Sequence, residues 1–304
     1  PAWMKTSGSL VTGRLKPEFY GAFAAYLHRF VRDFARAGAP IHALALQNEP
    51  HFEPADYPGM RMEPHERAAV IGKHLGPLFQ RTRTATRILD WDHNWDQPHA
   101  PLSVLADPKA APFIAGVAWH CYAGDVSAQS PVHDAFPDKE SWMTECAGGG
   151  WEPDFGKVLG WMTQSLIIGT TRNWSNGVIL WNIALDEKSG PHKGGCGNCR
   201  GVVTINSTDG TVTRNVEYYA LGHASRFVRP GSVRIASVSG TNGVETAAFL
   251  NPDGRTIAVI AHNSASGSRS IVLQSPMHTY RATLPAGAVA TMVWIEKDKG
   301  RRSK

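Results

Sequence analysis

The sequence predicts an α/β fold, in which a parallel sheet is covered by helices, followed by a smaller all-β module. Short apolar runs alternate with helix-length amphipathic segments along most of the chain. Several of these runs are continuously apolar, which is typical of strands buried on both faces. After Pro230 the helical spacing stops, and short alternating runs separated by turn residues follow.

The first predicted helix begins at Pro17 and ends at Gly38, because aromatic residues recur between them at spacings of three or four. Similar patterns predict four more helices, at 64–81, 107–115, 155–169 and 216–228. The apolar runs predict six strands, at 1–5, 41–47, 87–91, 116–122, 141–145 and 177–185. In an eight-unit barrel these would be six of the eight units, beginning partway round.

The segments after Pro230 predict a small antiparallel sandwich. Turn signals such as Asn251-Pro252-Asp253-Gly254 separate its runs. The predicted strands lie within 232–239, 246–251, 256–263, 270–274 and 288–295.

Composition excludes several classes of protein. The chain has 304 residues and a net charge of +5, but Lys and Arg are dispersed except in the tail at 297–304. We therefore expect no nucleic-acid partner. No apolar run is long enough to cross a bilayer, so we expect no transmembrane segment.

The four cysteines are too few for a disulfide scaffold. Cys196 and Cys199 form a C-x-x-C motif, whereas Cys121 and Cys146 occur singly on predicted strands. A zinc site usually needs a second such pair, so a disulfide that ties the loop is the favoured interpretation of Cys196 and Cys199. Such a bond suits an oxidising compartment, and we expect a secreted or periplasmic protein.

The ends of the predicted strands carry the residue types of an active site. In a parallel barrel the carboxyl ends of the strands meet at one rim. These ends present Trp3 and Lys5, Asn48 and Glu49, Asp92, His120 and Tyr122, Glu145, and Trp181 and Asn182. A single acid at a strand end is usually a solvated loop residue, but here all six ends carry polar or aromatic groups. A pair of carboxyl groups beside aromatic rings fits glycoside hydrolysis.

Four motifs, in this order and spacing, resemble glycoside hydrolase family 30, and closely its glucosylceramidase branch. They are "LQNEP" at 46–50, "WHCY" at 119–122, "WMTECAGG" at 142–149 and "WNIALD" at 181–186. The resemblance implies a (β/α)8 TIM barrel, here strands 3 to 8 only, with a C-terminal all-β Greek-key sandwich. The expected domains are a partial barrel at 1–228, a sandwich at 229–296 and a basic tail at 297–304.

The resemblance also implies a role for each site residue. Glu49 matches the general acid/base and Glu145 the nucleophile of a retaining enzyme, with Asn48 holding the sugar 2-hydroxyl. Tyr122 matches a tyrosine that donates a hydrogen bond to the nucleophile. The sugar subsite would be lined by Trp3, His120 and Trp181. The supporting residues would be Asp92 and Asn182, which would contact the site residues rather than the sugar itself. No cofactor and no metal is expected.

The leading functional hypothesis is a glucosylceramidase-type enzyme that removes a terminal β-glucosyl residue by double displacement. Its partner would be a β-glucoside or a glucosylceramide-like lipid. A β-1,6-glucanase, a β-glucosidase or a β-xylosidase would use the same pair of glutamates. A sugar-binding remnant without turnover is a further alternative, because the chain begins at what resembles the third barrel strand.

Overall fold

The computed structural model describes residues 1–275 and 278–296, so the predicted tail at 297–304 lies outside the described residues. The chain divides into two compact units. The first contains residues 1–146, 173–179 and 192–197, and the second contains residues 147–172, 180–191 and those from 198 onward. The second unit thus includes residues on both sides of the domain boundary predicted at 228.

Helices and strands alternate through the first part of the described chain, and strands dominate its second part. The α-helices are α1 (Tyr20–Arg36), α2 (Pro64–Val70), α3 (Gly76–Thr82), α4 (His99–Leu105), α5 (Gln129–Ala135), α6 (Phe155–Trp161), α7 (Thr170–Arg172) and α8 (Val216–Ser225). The strands are β1 (Ala43–Ala45), β2 (Arg87–Asn94), β3 (Ile114–His120), β4 (Glu140–Glu145), β5 (Gly148–Gly149), β6 (Ser175–Val178), β7 (Ala184–Leu185), β8 (Cys199–Arg200), β9 (Val203–Ile205), β10 (Val212–Arg214), β11 (Val233–Ile235), β12 (Val244–Leu250), β13 (Thr256–Asn263), β14 (Arg269–Gln274), β15 (Thr279–Leu284) and β16 (Val289–Ile295).

A parallel sheet in the order β1-β2-β3-β4-β6 forms the centre of the first unit. Its two longest strands, β2 and β3, are buried along almost their whole length, as their apolar sequences predict. The predicted parallel sheet with flanking helices is therefore confirmed.

Helix α1 ends where the sequence predicts but buries a different face. Gly38 has φ 88°, a left-handed conformation that stops the helix. The buried positions are Tyr20, Ala24, Leu27 and Val31. The aromatic residues Tyr26, Phe30 and Phe34, which carried the sequence pattern, are exposed.

Three predicted elements are wrong. The opening segment is a 3₁₀ turn over Ala2–Met4 rather than a strand, because the Met4 N–H donates to the Pro1 carbonyl and the Lys5 N–H donates to the Ala2 carbonyl, so these backbone groups are paired locally. The helix predicted at 107–115 is replaced by a 3₁₀ turn at Ala111–Phe113 and the start of β3, because the Asp107 carboxylate accepts from the Lys109 and Ala110 N–H groups and holds a turn there. The strand predicted at 177–185 is two short strands, β6 and β7, in separate sheets.

The second unit contains an antiparallel sheet in the order β11-β12-β13-β16 and a separate pair, β14-β15. Alternating side chains on β12 and β13 fill its core, among them Ala248, Ile257 and Val259. A long helical segment, α6 to α7 with a π-helical stretch between, is tied to this sheet by polar contacts: the Arg172 guanidinium donates to the carbonyls of Ser237 and Thr246. The described chain has no helix that is long and apolar enough to cross a membrane.

A buried ion pair joins α2 to β2 beneath the sheet. Arg67 and Asp90 are both fully buried, with Nε 2.8 Å from Oδ1. The Arg67 guanidinium also donates to the carbonyl of Met62 and lies 5.3 Å from the ring of Trp91. Both charges are therefore compensated, as burial requires.

We expect Arg67→Met to lower the free energy of unfolding by about 3–5 kcal/mol, because it leaves the Asp90 charge buried without its partner. Urea denaturation followed by circular dichroism measures this change. The matched control is Arg29→Ala, which removes an exposed pair with Asp33 on α1 and should cost about 0.5 kcal/mol or less. Equal losses in the two variants would contradict the assignment.

Candidate active site

The carboxyl ends of three adjacent strands bring imidazole and carboxyl groups together. In the register of the sheet, Asn94 of β2 pairs with His120 of β3, and His120 pairs with Glu145 of β4. Both ladders shift by one residue just before these ends, between Trp91 and His93 and again between Trp119 and His120. Such bulges redirect side chains at strand ends, which is how neighbouring side chains come to face one site.

Left-handed backbone conformations fix the acids at the rim. Glu49, Trp91 and Asp92 have φ of 44°, 76° and 53°. Non-glycine residues at positive φ are uncommon and cost roughly 1–3 kcal/mol each. The Glu49 N–H donates to the Asp92 carbonyl at 2.9 Å, which ties the end of β1 to β2. The fold therefore holds these acids in conformations that the free chain would avoid.

His120 is the centre of the site. Its Nδ1 lies 3.1 Å from Glu49 Oε1 and its Nε2 lies 3.2 Å from Asp92 Oδ1. Glu145 Oε2 is 3.9 Å from the same Nε2. Burial alone would lower the pKa of His120, but the hydrogen bonds to Asp92 and Glu49 and the charges of Asp92 and Glu145 outweigh it and raise the pKa to about 9. At neutral pH the ring is therefore a cation shared by three carboxyl groups.

Tyr122 contacts Glu145 directly. Its hydroxyl donates to Glu145 Oε1 at 3.0 Å. Burial, then the charge of Glu145, raises the pKa of Tyr122, so the phenol stays protonated and remains a donor. Burial also raises the pKa of Glu145, while the charge of His120 and the hydrogen bond from Tyr122 act in the opposite direction. Two neighbours thus favour the ionised form of a buried carboxyl group, which is the state a nucleophile needs.

Five of the predicted site residues therefore meet in the first unit. They are Glu49, Asp92, His120, Tyr122 and Glu145. Asp92 accepts a further hydrogen bond of 2.7 Å from the Thr144 hydroxyl, which suits a residue that holds His120 in place.

The other predicted residues make their contacts outside this cluster. Asn48 is exposed beside Glu49, and Trp3 is 61% exposed with its ring edge-on to Phe19. Trp181 and Asn182 belong to the second unit, where the Asn182 side chain accepts from the Ala184 N–H at 3.0 Å. Sugar binding by Trp3, Asn48 and Trp181, and the supporting role of Asn182, stay predictions.

The structure adds residues that the sequence did not single out. His93 Nδ1 lies 3.7 Å from Glu49 Oε1 and, among the described residues, has no hydrogen-bond partner. Burial lowers the pKa of His93 to about 4, so this ring is neutral. His93 directly follows Asp92 in the sequence, and that position could have indicated it.

Tyr57 is a second addition. Burial, and then the charges of Glu49 and Glu145, raise the pKa of Tyr57. Its neighbour Asp56 accepts from the Gly195 N–H at 2.9 Å, so the loop that carries Tyr57 is held by a distant segment of the same unit. A loop position of this kind has no periodic signal in the sequence.

One group of side chains has the composition of a metal site. Ligand atoms of Glu49, His93 and His120 all lie within 4.8 Å of one another. A metal ion needs the lone pair of His120 Nδ1. That nitrogen already faces Glu49, and the raised pKa of His120 means that a proton competes with the metal for the ring.

All four cysteines of the described chain are oxidised. Cys121 and Cys146, at the ends of β3 and β4, form a disulfide with their Cα atoms 5.4 Å apart. The sequence did not indicate this pair, because the two residues lie on separate strands whose register is fixed only by the fold. Cys196 and Cys199 are disulfide-bonded as well.

Comparison with known families matches both parts of the chain. A model described as the glycosyl hydrolase family 30 TIM-barrel domain matches residues 1–228, and one described as the family 30 beta sandwich domain matches residues 231–292. The family resemblance predicted from the sequence is confirmed.

Individual proteins give finer comparisons. An endo-1,6-β-D-glucanase of Trichoderma harzianum is 33% identical over 96% of this chain and 62% of its own length. The lysosomal acid glucosylceramidase of Mus musculus is 25% identical over 97% of this chain and 61% of its own length. The solved structure of an endo-β1,6-glucanase superposes with a TM-score of 0.91 at 32% identity, covering 98% of this chain and 69% of that one. The chain thus spans about three fifths of the length of these curated relatives.

We expect the charge of His120 to make stability depend on pH in the alkaline range. Because its pKa is raised from 6.5 to about 9, its contribution is complete below pH 6.5 and is lost as the pH rises through 9. The loss should be roughly 3 kcal/mol. It is measured as the free energy of unfolding in urea at pH 6 and pH 9.5, for the wild type and for His120→Gln. If the two proteins lose equal stability over this interval, His120 is not charged in the folded state.

Proposed function

The chain belongs to glycosyl hydrolase family 30, and we propose that it hydrolyses β-1,6-glucan with retention of anomeric configuration. The observation that carries the proposal is the contact of Glu49 and Glu145 with opposite nitrogens of one buried imidazole, His120. Two carboxyl groups held near each other, Glu49 after β1 and Glu145 at the end of β4, are what double displacement at a sugar requires.

In the first step, the Glu145 carboxylate attacks the anomeric carbon and the glycosidic C–O bond breaks. Glu49 gives its proton to the departing oxygen, so the alcohol leaves neutral. In the second step, Glu49, now a carboxylate, takes a proton from water. The water oxygen attacks the same carbon and releases Glu145.

The neighbours of the two glutamates support these roles. Tyr122 donates to Glu145 and thereby favours its ionised form before attack, against the effect of burial. His120 offers Glu49 a cationic partner after proton transfer, when Glu49 carries a negative charge. The same imidazole therefore stabilises charge that moves from Glu145 to Glu49 during the reaction.

The choice of substrate rests on sequence similarity. The sequence motifs alone favoured a glucosylceramidase, with β-1,6-glucanase as an alternative. The higher identity to an endo-1,6-β-D-glucanase, 33% against 25% for a lysosomal glucosylceramidase, supports the alternative over the first hypothesis. Secretion or export, which would bring the enzyme to a polymeric glucan, is part of the same proposal.

We expect the purified chain to release oligosaccharides from β-1,6-glucan, with kcat/KM about 100-fold higher than for glucosylceramide. Reducing-sugar release and lipid chromatography measure the two reactions, with aryl β-glucoside and aryl β-xyloside as small reference substrates. ¹H NMR of the first product should show the β-anomer. Faster cleavage of glucosylceramide would overturn the choice of substrate, and an α-anomer would overturn retention.

Substitution of the two glutamates should have different kinetic effects. Glu145→Gln should lower kcat by about 10⁴-fold or more, since it removes the nucleophile. Glu49→Ala should slow substrates with poor leaving groups by about 10²–10⁴-fold, spare activated aryl glycosides, and be rescued by azide. Glu18→Gln, an exposed acid before α1, is the matched control and should keep full activity. A uniform loss across leaving groups in Glu49→Ala would exclude its role as the acid.

A further inference from the structure

We propose that the Cys121–Cys146 disulfide is a positioning device that holds the Tyr122 hydroxyl on Glu145. This inference rests on the proposed role of Glu145 as the nucleophile. Each half-cystine is the covalent neighbour of one member of the pair: Tyr122 follows Cys121, and Glu145 precedes Cys146. One S–S bond thus links the two backbone segments whose side chains make the 3.0 Å contact.

The bond lies where backbone pairing ends. The last paired residues of β3 and β4 are His120 and Glu145, after a register shift that interrupts the ladder. The next residues on both strands are the two cysteines. Parallel strands separate when their hydrogen bonds stop. The disulfide therefore holds the two segments together at the position of the reacting side chains, where the backbone hydrogen bonds of the ladder have ended.

The segment after β3 is anchored on its other side to β2. The Tyr122 N–H donates to Asn94 Oδ1 at 3.0 Å, and the Trp95 N–H donates to the Ala123 carbonyl at 3.0 Å. Gly124, at φ 84°, packs so closely on the backbone of Asp96 that a Cβ atom there would clash. All of these contacts join residues 122–124 to the end of β2 and the residues just after it, and none of them joins this segment to β4. The disulfide is therefore the covalent link between this segment and the end of β4, where Glu145 lies.

The link matters for Tyr122 because part of its side chain faces solvent. The residue as a whole is 46% exposed, its ring meets His120 edge-on with 6.1 Å between centroids, and its hydroxyl donates to Glu145. A dithiol supplies two electrons and two protons, becomes a cyclic disulfide itself, and converts the bond to two thiols. The sheet would keep its ladder up to His120 and Glu145, while Tyr122 would lose its fixed distance to the carboxyl group.

The consequence is a change in the ionisation of Glu145. The hydrogen bond from Tyr122 lowers the pKa of Glu145, against the effect of burial. When the disulfide is opened, the pKa of Glu145 should rise as it does when the hydroxyl is deleted by Tyr122→Phe. The two changes should not add, since both act through one hydrogen bond.

The test uses the full chain in the Cys196→Ser/Cys199→Ser background, in which dithiothreitol can open only the Cys121–Cys146 bond. We expect reduction of the folded protein to lower kcat for β-1,6-glucan about 10- to 100-fold. The acid limb of the pH profile of kcat/KM should move to higher pH. Reduction should have little further effect in the Tyr122→Phe protein. Cys121→Ser/Cys146→Ser gives the same comparison without reductant, and near-UV circular dichroism checks that each protein is folded.

A second readout does not depend on turnover. ¹³C NMR of glutamate carboxyl carbons, with Glu145→Gln to assign the signal, gives the pKa of Glu145 before and after reduction. A rise that matches Tyr122→Phe supports the proposal even if the wild type is inactive, in which case the proposed function alone fails. An unchanged pKa, or additive effects of reduction and Tyr122→Phe, would overturn the positioning role.

Discussion

The site depends on one buried cation. His120 lies at the end of a central strand with three carboxyl groups around it, those of Glu49, Asp92 and Glu145. Without a positive charge in their midst, these acids would repel one another, and burial would drive them to bind protons. With it, part of their negative charge is offset, so that the three partly buried carboxyl groups can lie close together. The strand order and the bulges bring these side chains to the ring.

The packing of the surrounding fold compensates for the free energy that this arrangement costs. Residues at positive φ and acids out of water are both unfavourable locally, and they persist because the sheet around them is well packed. Asp90 lies two residues before Asp92 on β2. Its fully buried ion pair with Arg67 holds β2 against α2. The stabilising contacts around this ion pair thus compensate for the strained backbone at the carboxyl ends of the strands.

Much of this could be predicted from the sequence, for identifiable reasons. Continuous apolar runs predicted the buried strands, and the polar residues just after them predicted Glu49, His120 and Glu145. What failed was decided by local hydrogen bonds: backbone bonds within residues 1–5 formed a turn in place of a strand, and Asp107 accepting from its neighbours formed a turn in place of a helix. Tyr57 and the Cys121–Cys146 bond were missed because loop placement and strand register appear only in three dimensions.

The backbone at Glu49 has a consequence for anyone who would evolve this protein in the laboratory. At φ 44° the position suits glycine or asparagine better than glutamate, so stability and chemistry pull in opposite directions at this residue. A library selected only for heat resistance would enrich variants that have relaxed the loop and lost the proposed proton donor. Selection for robustness therefore has to be paired with selection for turnover at each round.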